Sequence, residues 1–148
     1  MEFLESEFLI ETKIPKDELI ISRTDLKGNI TYANESFANI SGYEIDELIG
    51  QPHNILRHPD MPKRVFRKLW ETLNNEQKWE GVIKNLRKDK GFYWVHANIS
   101  GVYKDGQLIE YKSIRTPISF EEKLKYQSLY DEYRNIDRDN IRRVIYES

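Results

Sequence analysis

The sequence contains no cysteine, and this absence removes several kinds of functional site. Without thiols the chain cannot form disulfides, thiolate zinc sites, iron–sulfur clusters or cysteine nucleophiles. Long hydrophobic runs are also missing, since none reaches the roughly 18 residues that a membrane-crossing helix needs. Residues 1–10 carry three glutamates and no basic side chain, unlike a secretory signal. We therefore expect a cytoplasmic protein with no direct membrane insertion.

Neither sign of charge dominates the sequence. The 23 Lys and Arg residues nearly balance the 25 Asp and Glu residues, which leaves a formal net charge of −2. A general nucleic-acid partner is not expected, because such binding depends on a cationic surface. The 148 residues are 39% hydrophobic and 12% aromatic, a composition and length that suit one domain with a buried core and a short appendage.

The order of the patterns along the chain predicts an α+β fold. Two short strands near residues 19–21 and 30–32 flank a turn-rich segment, and Asn34 can cap the helix that follows. An amphipathic helix begins near Pro62, and from Trp79 the apolar period changes to two through a three-strand meander. We expect an antiparallel sheet with helices gathered on one face.

We expect the chain to have three parts: an acidic lead-in over residues 1–18, a globular domain over 19–118 and an amphipathic helix over 119–148. The lead-in has apolar residues spaced as in a short helix, at Phe3, Leu4, Phe8 and Leu9. The tail has no Gly or Pro, and one loose helical face carries Phe120, Leu124, Leu129, Tyr133, Ile136, Ile141 and Val144. This face either docks on the sheet or joins another subunit, and we predict a homodimer.

Motifs for catalysis are not visible in the sequence. It has no glycine-rich phosphate motif, no H-E-x-x-H and no Ser–His–Asp set, so we do not expect an enzyme. His53, His58 and Asp60 come nearest to a metal-ligand cluster. The prolines around and between them, Pro52, Pro59 and Pro62, favour a role in loop shape over coordination, and we expect no metal.

Two asparagines among the aromatic residues are more informative. Asn85 follows the same strand alternation as Trp79, and Asn98 follows that of Trp94. If both alternations face inward, both amides are buried and need hydrogen-bond partners. A flat heteroaromatic ligand with donors and acceptors along one edge would supply those partners.

Several motifs together resemble a PAS domain. They are NITYAN at residues 29–34, ELIG at 47–50 and GFYWV at 91–95. The resemblance extends over about residues 19–116. It implies a five-stranded antiparallel sheet with flanking helices.

Three further motifs resemble a narrower family, the sensor domains of bacterial aerotaxis receptors. These are GQPHN at residues 50–54, RHPDMP at 57–62 and YKSIRT at 111–116. The resemblance implies noncovalent binding of FAD and sensing of redox or energy state for a chemotaxis pathway. Because the 148 residues include no membrane anchor or signalling domain of that family, we expect a stand-alone sensor. Such a sensor acts on a separate membrane-bound chemotaxis transducer, which can recruit it to the inner face of the membrane.

The resemblance also implies cofactor-binding roles for individual residues. The motif tied to flavin binding in the family is matched by Arg57, His58 and Asp60, and positions near the ligand are matched by Asn34, Trp70 and Asn85. Counted from Tyr111, Arg115 takes the position where light-sensing relatives carry a glutamine. A buried guanidinium there would stabilise negative charge on a reduced flavin. Trp79 and Asn98 complete the set of candidates.

Two alternatives to the flavin hypothesis remain open at this point. One is a haem-binding PAS gas sensor, in which any of the three histidines could be the axial ligand. The other is a ligand-free interaction module whose aromatic residues all belong to the core. The adduct chemistry of light-sensing flavin relatives is excluded because it needs a cysteine.

Overall fold

The computed structural model describes residues 10–139, whose centre is a five-stranded antiparallel sheet. The strands are β1 (Ile20–Thr24), β2 (Ile30–Ala33), β3 (Trp79–Leu86), β4 (Phe92–Lys104) and β5 (Gln107–Thr116). Their order in the sheet is β2-β1-β5-β4-β3, so the first and last strands of the chain pair in the middle. This arrangement confirms the predicted fold class.

Helices cover parts of both faces of the sheet. The elements between β2 and β3 are α1 (Glu35–Ser41), α2 (Ile45–Leu48), a 3₁₀ turn (His53–Leu56) and α3 (Lys63–Asn74). They lie on one face, which we call the inner face. The last helix, α4 (Phe120–Asp137), packs against the outer face over β3 and β4. Among residues 10–139, no helix combines the length and the apolar character that crossing a bilayer requires.

Local chemistry explains where the elements begin and end. The Asn34 side chain accepts a hydrogen bond from the Phe37 backbone N–H at 3.0 Å, which starts α1 as predicted. Gly42 adopts a φ of 78° and ends the same helix, a conformation that costs little only for glycine. Asp105 and Gly106 both have positive φ, as the tight turn between β4 and β5 requires.

Helix α4 packs on the domain with Leu129 and Tyr133 of the predicted face, but other residues of that face do not pack. The residues that pack on the domain are Tyr126, Leu129, Tyr130 and Tyr133. The predicted face is therefore partly wrong, because Phe120, Leu124 and Ile136 are exposed. Tyr130 faces the sheet because its hydroxyl donates a hydrogen bond to the Val82 carbonyl at 2.5 Å, and a leucine cannot make this contact. Ile141 and Val144 lie outside the described residues.

The described part of the lead-in, residues 10–18, is not helical. It runs beside the start of β4, where the Thr12 N–H donates to the Phe92 carbonyl at 2.8 Å. The Phe92 N–H donates in return to the Ile10 carbonyl at 2.9 Å. The residues on which a short helix was predicted, Phe3, Leu4, Phe8 and Leu9, lie outside the described residues.

Candidate functional site

A cavity of about 360 Å³ lies between the inner face of the sheet and helix α3. Its walls come from β1, β3, β4, β5, the 3₁₀ turn and α3. Four of the residues named as candidates from the sequence line it: Arg57, Trp70, Asn85 and Arg115. The lining carries four basic residues, Lys27, Arg57, Lys112 and Arg115, and no acidic residue from the described part of the chain.

Arg115 lies in the wall of the cavity with only 2% of its surface exposed. Its Nη2 donates to the Ser22 hydroxyl at 2.8 Å and to His53 Nε2 at 2.6 Å. Its guanidinium carbon also lies 4.8 Å from the centre of the Phe37 ring. Burial lowers the pKa of Arg115 to about 10, so the group is charged at neutral pH.

Arg115 has no ionic partner within residues 10–139, because it forms no salt bridge with any of them. Its Nη1 is buried and makes no hydrogen bond to the described part of the protein. The Ser113 hydroxyl, two residues earlier on β5, is in the same condition. The cavity wall therefore holds an uncompensated cation and unused polar atoms, which a ligand can engage.

His53 lines the cavity, although the sequence suggested it only as a possible metal or haem ligand. It stacks on Phe37 with ring centres 5.7 Å apart. Because a guanidinium only donates hydrogen bonds, His53 Nε2 accepts from Arg115 and the imidazole is neutral. Burial and then the charge of Arg115 lower the pKa of His53 to about 3. The available signal was its place in the QPHN segment beside the family-like motif.

Tyr93 and Asn85 are buried polar residues of the inner face, and Asn85 lines the cavity. They face each other across β4 and β3, and Asn85 is only 4% exposed. The Tyr93 hydroxyl makes no hydrogen bond to the described part of the protein. Burial raises the pKa of Tyr93 to about 12, an effect that the positive charge of Arg115 opposes. Both groups are therefore neutral at physiological pH and can serve as hydrogen-bonding groups.

Arg57 and Trp70 lie near the mouth of the cavity. The Arg57 guanidinium carbon is 3.8 Å from the centre of the Phe66 ring, a close cation–π contact. Trp70 packs edge-on against Tyr111, with ring centres 6.0 Å apart, and 38% of its surface is exposed. The mouth thus offers an aromatic surface and a positive charge to any part of a ligand that extends out of the cavity.

His58 and Asp60, from the same motif as Arg57, do not line the cavity. Both are buried on the other side of β3, where Asp60 Oδ2 lies 3.5 Å from the Lys84 ammonium. His58 Nδ1 accepts a hydrogen bond from the Asp60 backbone N–H at 3.0 Å. The loop passes around the edge of β3, so successive motif residues point to opposite sides of the sheet.

Asn34 and Trp79 also lie outside the cavity lining. Besides capping α1, Asn34 donates from Nδ2 to the Leu19 carbonyl at 2.9 Å and accepts from the Ile21 N–H at 3.1 Å. Trp79 is 8% exposed, and its ring lies against Gly81, where a Cβ atom would come within 2.5 Å of it. Their positions give Asn34 a capping contact and Trp79 a packing contact.

Asn98 is exposed on the outer face, so its expected inward orientation is wrong. It shares that face with Trp94, which is buried because α4 covers it: the Trp94 and Tyr130 ring centres are 6.3 Å apart. The residues of β4 that face inward are those of the other parity, including Ile99, which lines the cavity. Because Trp94 is buried on the outer face, the burial of this aromatic residue does not show which residues of β4 face the cavity.

The histidines lie apart from one another. Only His53 of the three lines the cavity, and its Nε2 is engaged by Arg115. His96 Nε2 lies 2.9 Å from a Glu80 carboxylate oxygen on the outer face. Within residues 10–139, no group of three or more His, Cys, Asp and Glu side chains is placed to hold a metal ion.

Comparisons with known proteins agree with this geometry. The family model described as "PAS fold" matches residues 30–115. The chain is 44% identical to the aerotaxis receptor of Escherichia coli (strain K12) over 119 residues, which is 80% of this chain and 24% of the receptor. It is 33% identical over 112 residues to a nitrogen fixation regulatory protein of Klebsiella pneumoniae, covering 75% of this chain and 23% of that one.

Among solved structures, a light-oxygen-voltage domain studied with a flavin analogue superposes with a TM-score of 0.69 at 19% identity. The match covers 78% of this chain and 88% of that domain. This likeness concerns the fold. The chain spans about a quarter of the length of these two curated relatives.

Proposed function

This chain belongs to the PAS-fold family, and we propose that it binds FAD noncovalently in the cavity and senses redox or energy state. It is related to an aerotaxis receptor, and we propose that it signals to a separate chemotaxis transducer. Bound flavin would supply the electron-transfer chemistry, and the protein would supply binding, orientation and electrostatics. We propose that the domain acts through binding and contact and not as an enzyme.

One observation carries this proposal: a buried guanidinium faces a cavity without a carboxylate partner in the described chain. Burying a charge is costly unless another group compensates it. The carbonyl and nitrogen edge of a flavin ring provides acceptors for Arg115 Nη1 and a partner for the Ser113 hydroxyl. The same cation would favour the more negative, reduced form of the ring and so raise its reduction potential.

The size of the cavity favours a particular placement of FAD. A volume of about 360 Å³ is at the small end of the range for small-molecule sites, so it suits the tricyclic ring and not the whole dinucleotide. The rest of the molecule would lie at the mouth, where Lys27 can approach phosphate and Trp70 can stack on a base. His53 would keep Arg115 directed at the ring.

The remaining parts of the proposal concern organisation and signalling. We propose a PAS sensor domain over residues 19–118, with residues 1–18 and 119–148 as its flanking segments. We also propose that the protein is a homodimer when the transducer is absent. Asn85 and Arg115 are the proposed ring-binding residues, and Arg57 and Trp70 are proposed for the mouth of the cavity.

Reconstitution with FAD tests this function directly. Protein mixed with FAD and passed through gel filtration should remain yellow, and dithionite should bleach its blue absorption. Arg115→Met should weaken FAD binding at least about tenfold, or about 1.4 kcal/mol, while Arg115→Lys should bind with intermediate affinity. Asn98→Ala, on the exposed outer face, is the matched control and should bind normally.

Two results would count against the function. A Soret band in the purified protein would identify a haem sensor instead. Colourless protein after reconstitution, with a folded circular dichroism spectrum, would favour the ligand-free interaction module.

A further inference from the structure

The loop over residues 57–61 connects the cavity with the opposite face of the sheet. Its first residue, Arg57, lines the cavity and forms an isolated antiparallel bridge with Asn85 on β3. Its fourth residue, Asp60, is buried on the outer side of β3. We call this segment the bracket loop, because it holds the edge of β3 from both sides.

Helix α4 contacts the outer end of the bracket loop. Arg134 Nη1 lies 3.4 Å from Asp60 Oδ1, while the Lys84 ammonium lies 3.5 Å from Asp60 Oδ2. Asp60 exposes only 3% of its side chain and Arg134 only 16%. An ion pair at such a site is screened little by solvent, so loss of one partner has a larger effect than at the surface.

The same helix also holds β3 directly. Tyr130 donates to the Val82 carbonyl at 2.5 Å, and the Lys84 ammonium donates to the Gln127 side chain at 3.1 Å. On β3 these outer residues alternate with Ile83 and Asn85, which line the cavity. The bracket loop and β3 therefore each have one side in the cavity and one side under α4.

We propose that Arg134 of α4 is a positioning residue for the cavity, acting through Asp60 on the Arg57–Asn85 bridge. Arg134 does not line the cavity. It contacts the carboxylate of Asp60, which lies three residues after Arg57, and Arg57 does line the cavity. Docking of α4 and occupancy of the cavity are then linked, and linkage is reciprocal: a docked helix raises ligand affinity, and ligand favours docking.

The linkage between α4 and a ligand rests on the proposed flavin function. The effect of Arg134 on the Arg57–Asn85 bridge does not depend on that function. Arg134→Gln in the full chain removes the charge that faces Asp60 and leaves a shorter, neutral polar side chain. Asp131→Asn is the matched control, because Asp131 is the other, exposed partner of Arg134 and does not contact the bracket loop. Arg134→Lys, which restores the charge, should rescue the effect at least in part.

Two measurements are made on each variant: the FAD dissociation constant, and amide hydrogen exchange with and without FAD. Arg134→Gln should weaken FAD binding fivefold or more and speed exchange at residues 57 and 85 even in flavin-free protein. In the wild type, FAD should slow exchange in α4, and this protection should be lost in Arg134→Gln. Asp131→Asn should change none of these values by more than twofold.

The outcomes separate the two proposals. If the wild type binds FAD but Arg134→Gln alters neither affinity nor exchange at the bridge, the positioning role is wrong. If the wild type binds no FAD, the flavin function is wrong, and faster exchange at residues 57 and 85 in Arg134→Gln alone would still support the positioning role. Equal effects of Asp131→Asn and Arg134→Gln would reduce both to general destabilisation of α4 and overturn the role.

Discussion

Each face of the sheet buries a cation and a tyrosine, but the interaction partners of these groups differ between the two faces. On the outer face, the Lys84 ammonium lies 3.5 Å from Asp60, and the Tyr130 hydroxyl donates to the Val82 carbonyl. On the inner face, Arg115 is equally buried but has only neutral partners among the described residues, the Ser22 hydroxyl and the His53 ring. The buried cations of the outer face have a carboxylate partner among the described residues, whereas Arg115 on the inner face has none.

This difference distinguishes structural from functional burial of charge. A buried ion pair inside the chain keeps its elements together, because breaking it strands the remaining charge. A buried cation beside a cavity, with a nitrogen left without a hydrogen bond, is held ready for a group that the chain itself does not provide. Substitutions on the two faces should therefore affect different measurements.

The largest effect is expected for Asp60→Asn on the outer face. The change removes the Asp60 carboxylate from the buried Lys84 ammonium and leaves Arg134 paired with the exposed Asp131, and we expect a loss of about 3 kcal/mol in the free energy of unfolding. Urea denaturation of flavin-free protein, followed by circular dichroism, measures it. Arg115→Met is the matched change on the inner face and should alter stability by less than about 0.5 kcal/mol, since no carboxylate is stranded.

Equal destabilisation by the two variants would break the comparison. It would mean that Arg115 supports the fold as much as Asp60 does, and that the cavity cation is structural. A stable Asp60→Asn protein would show instead that the outer cluster contributes little to holding α4.

The second largest effect is the dependence of the free energy of unfolding on pH, which should reach about 2 kcal/mol. Buried, neutral His53 has a folded pKa of about 3, below the value of about 6.5 in the unfolded chain. As the pH falls below 6.5 the unfolded state binds the proton first, so stability that is complete above 6.5 is lost towards pH 3. Between pH 7 and pH 5 we expect this one group to lower the free energy of unfolding by about 2 kcal/mol.

His53→Gln should remove that part of the pH dependence, because glutamine can still accept from Arg115 but does not titrate. The measurement is urea unfolding of both proteins at pH 5 and pH 7. Identical pH slopes in the two proteins would contradict the buried, neutral state of His53. That result would also weaken the contrast between a closed outer face and a cavity built from neutral partners.

Much of the fold could be predicted because it depends on local rules. The Asn34 cap, the glycine that ends α1 and the tight turn at Asp105 are each set by a few adjacent residues. The packing face of α4 was harder to predict, since it depends on which residues of the sheet the helix contacts. Polar partners at Val82 and Lys84 favour the face that carries Tyr130 and Gln127 over the more apolar Leu124.

The family resemblance located more of the cavity residues than strand alternation did, since Arg57 lies in a loop and Trp70 on α3. Arg57, Asn85 and Arg115 line one cavity, although they lie far apart in sequence. Asn98 was misplaced because Trp94 beside it is buried under α4 and not in the inner core. A strand covered on both faces carries buried residues of both parities, so alternation alone does not separate the faces.

The smallest expected effect is that of Asn34→Ala. Asn34 was a candidate ligand residue, but in the structure its amide caps α1 and ties it to the start of β1. We expect a loss of about 1 kcal/mol in the free energy of unfolding and an unchanged FAD dissociation constant, because caps act on the helix and not on the cavity. Asn34→Ser keeps a capping oxygen and should recover part of the stability. If instead FAD binding fell tenfold while stability stayed constant, Asn34 would belong to the FAD site. The site would then include the start of α1 as well as the residues around Arg115.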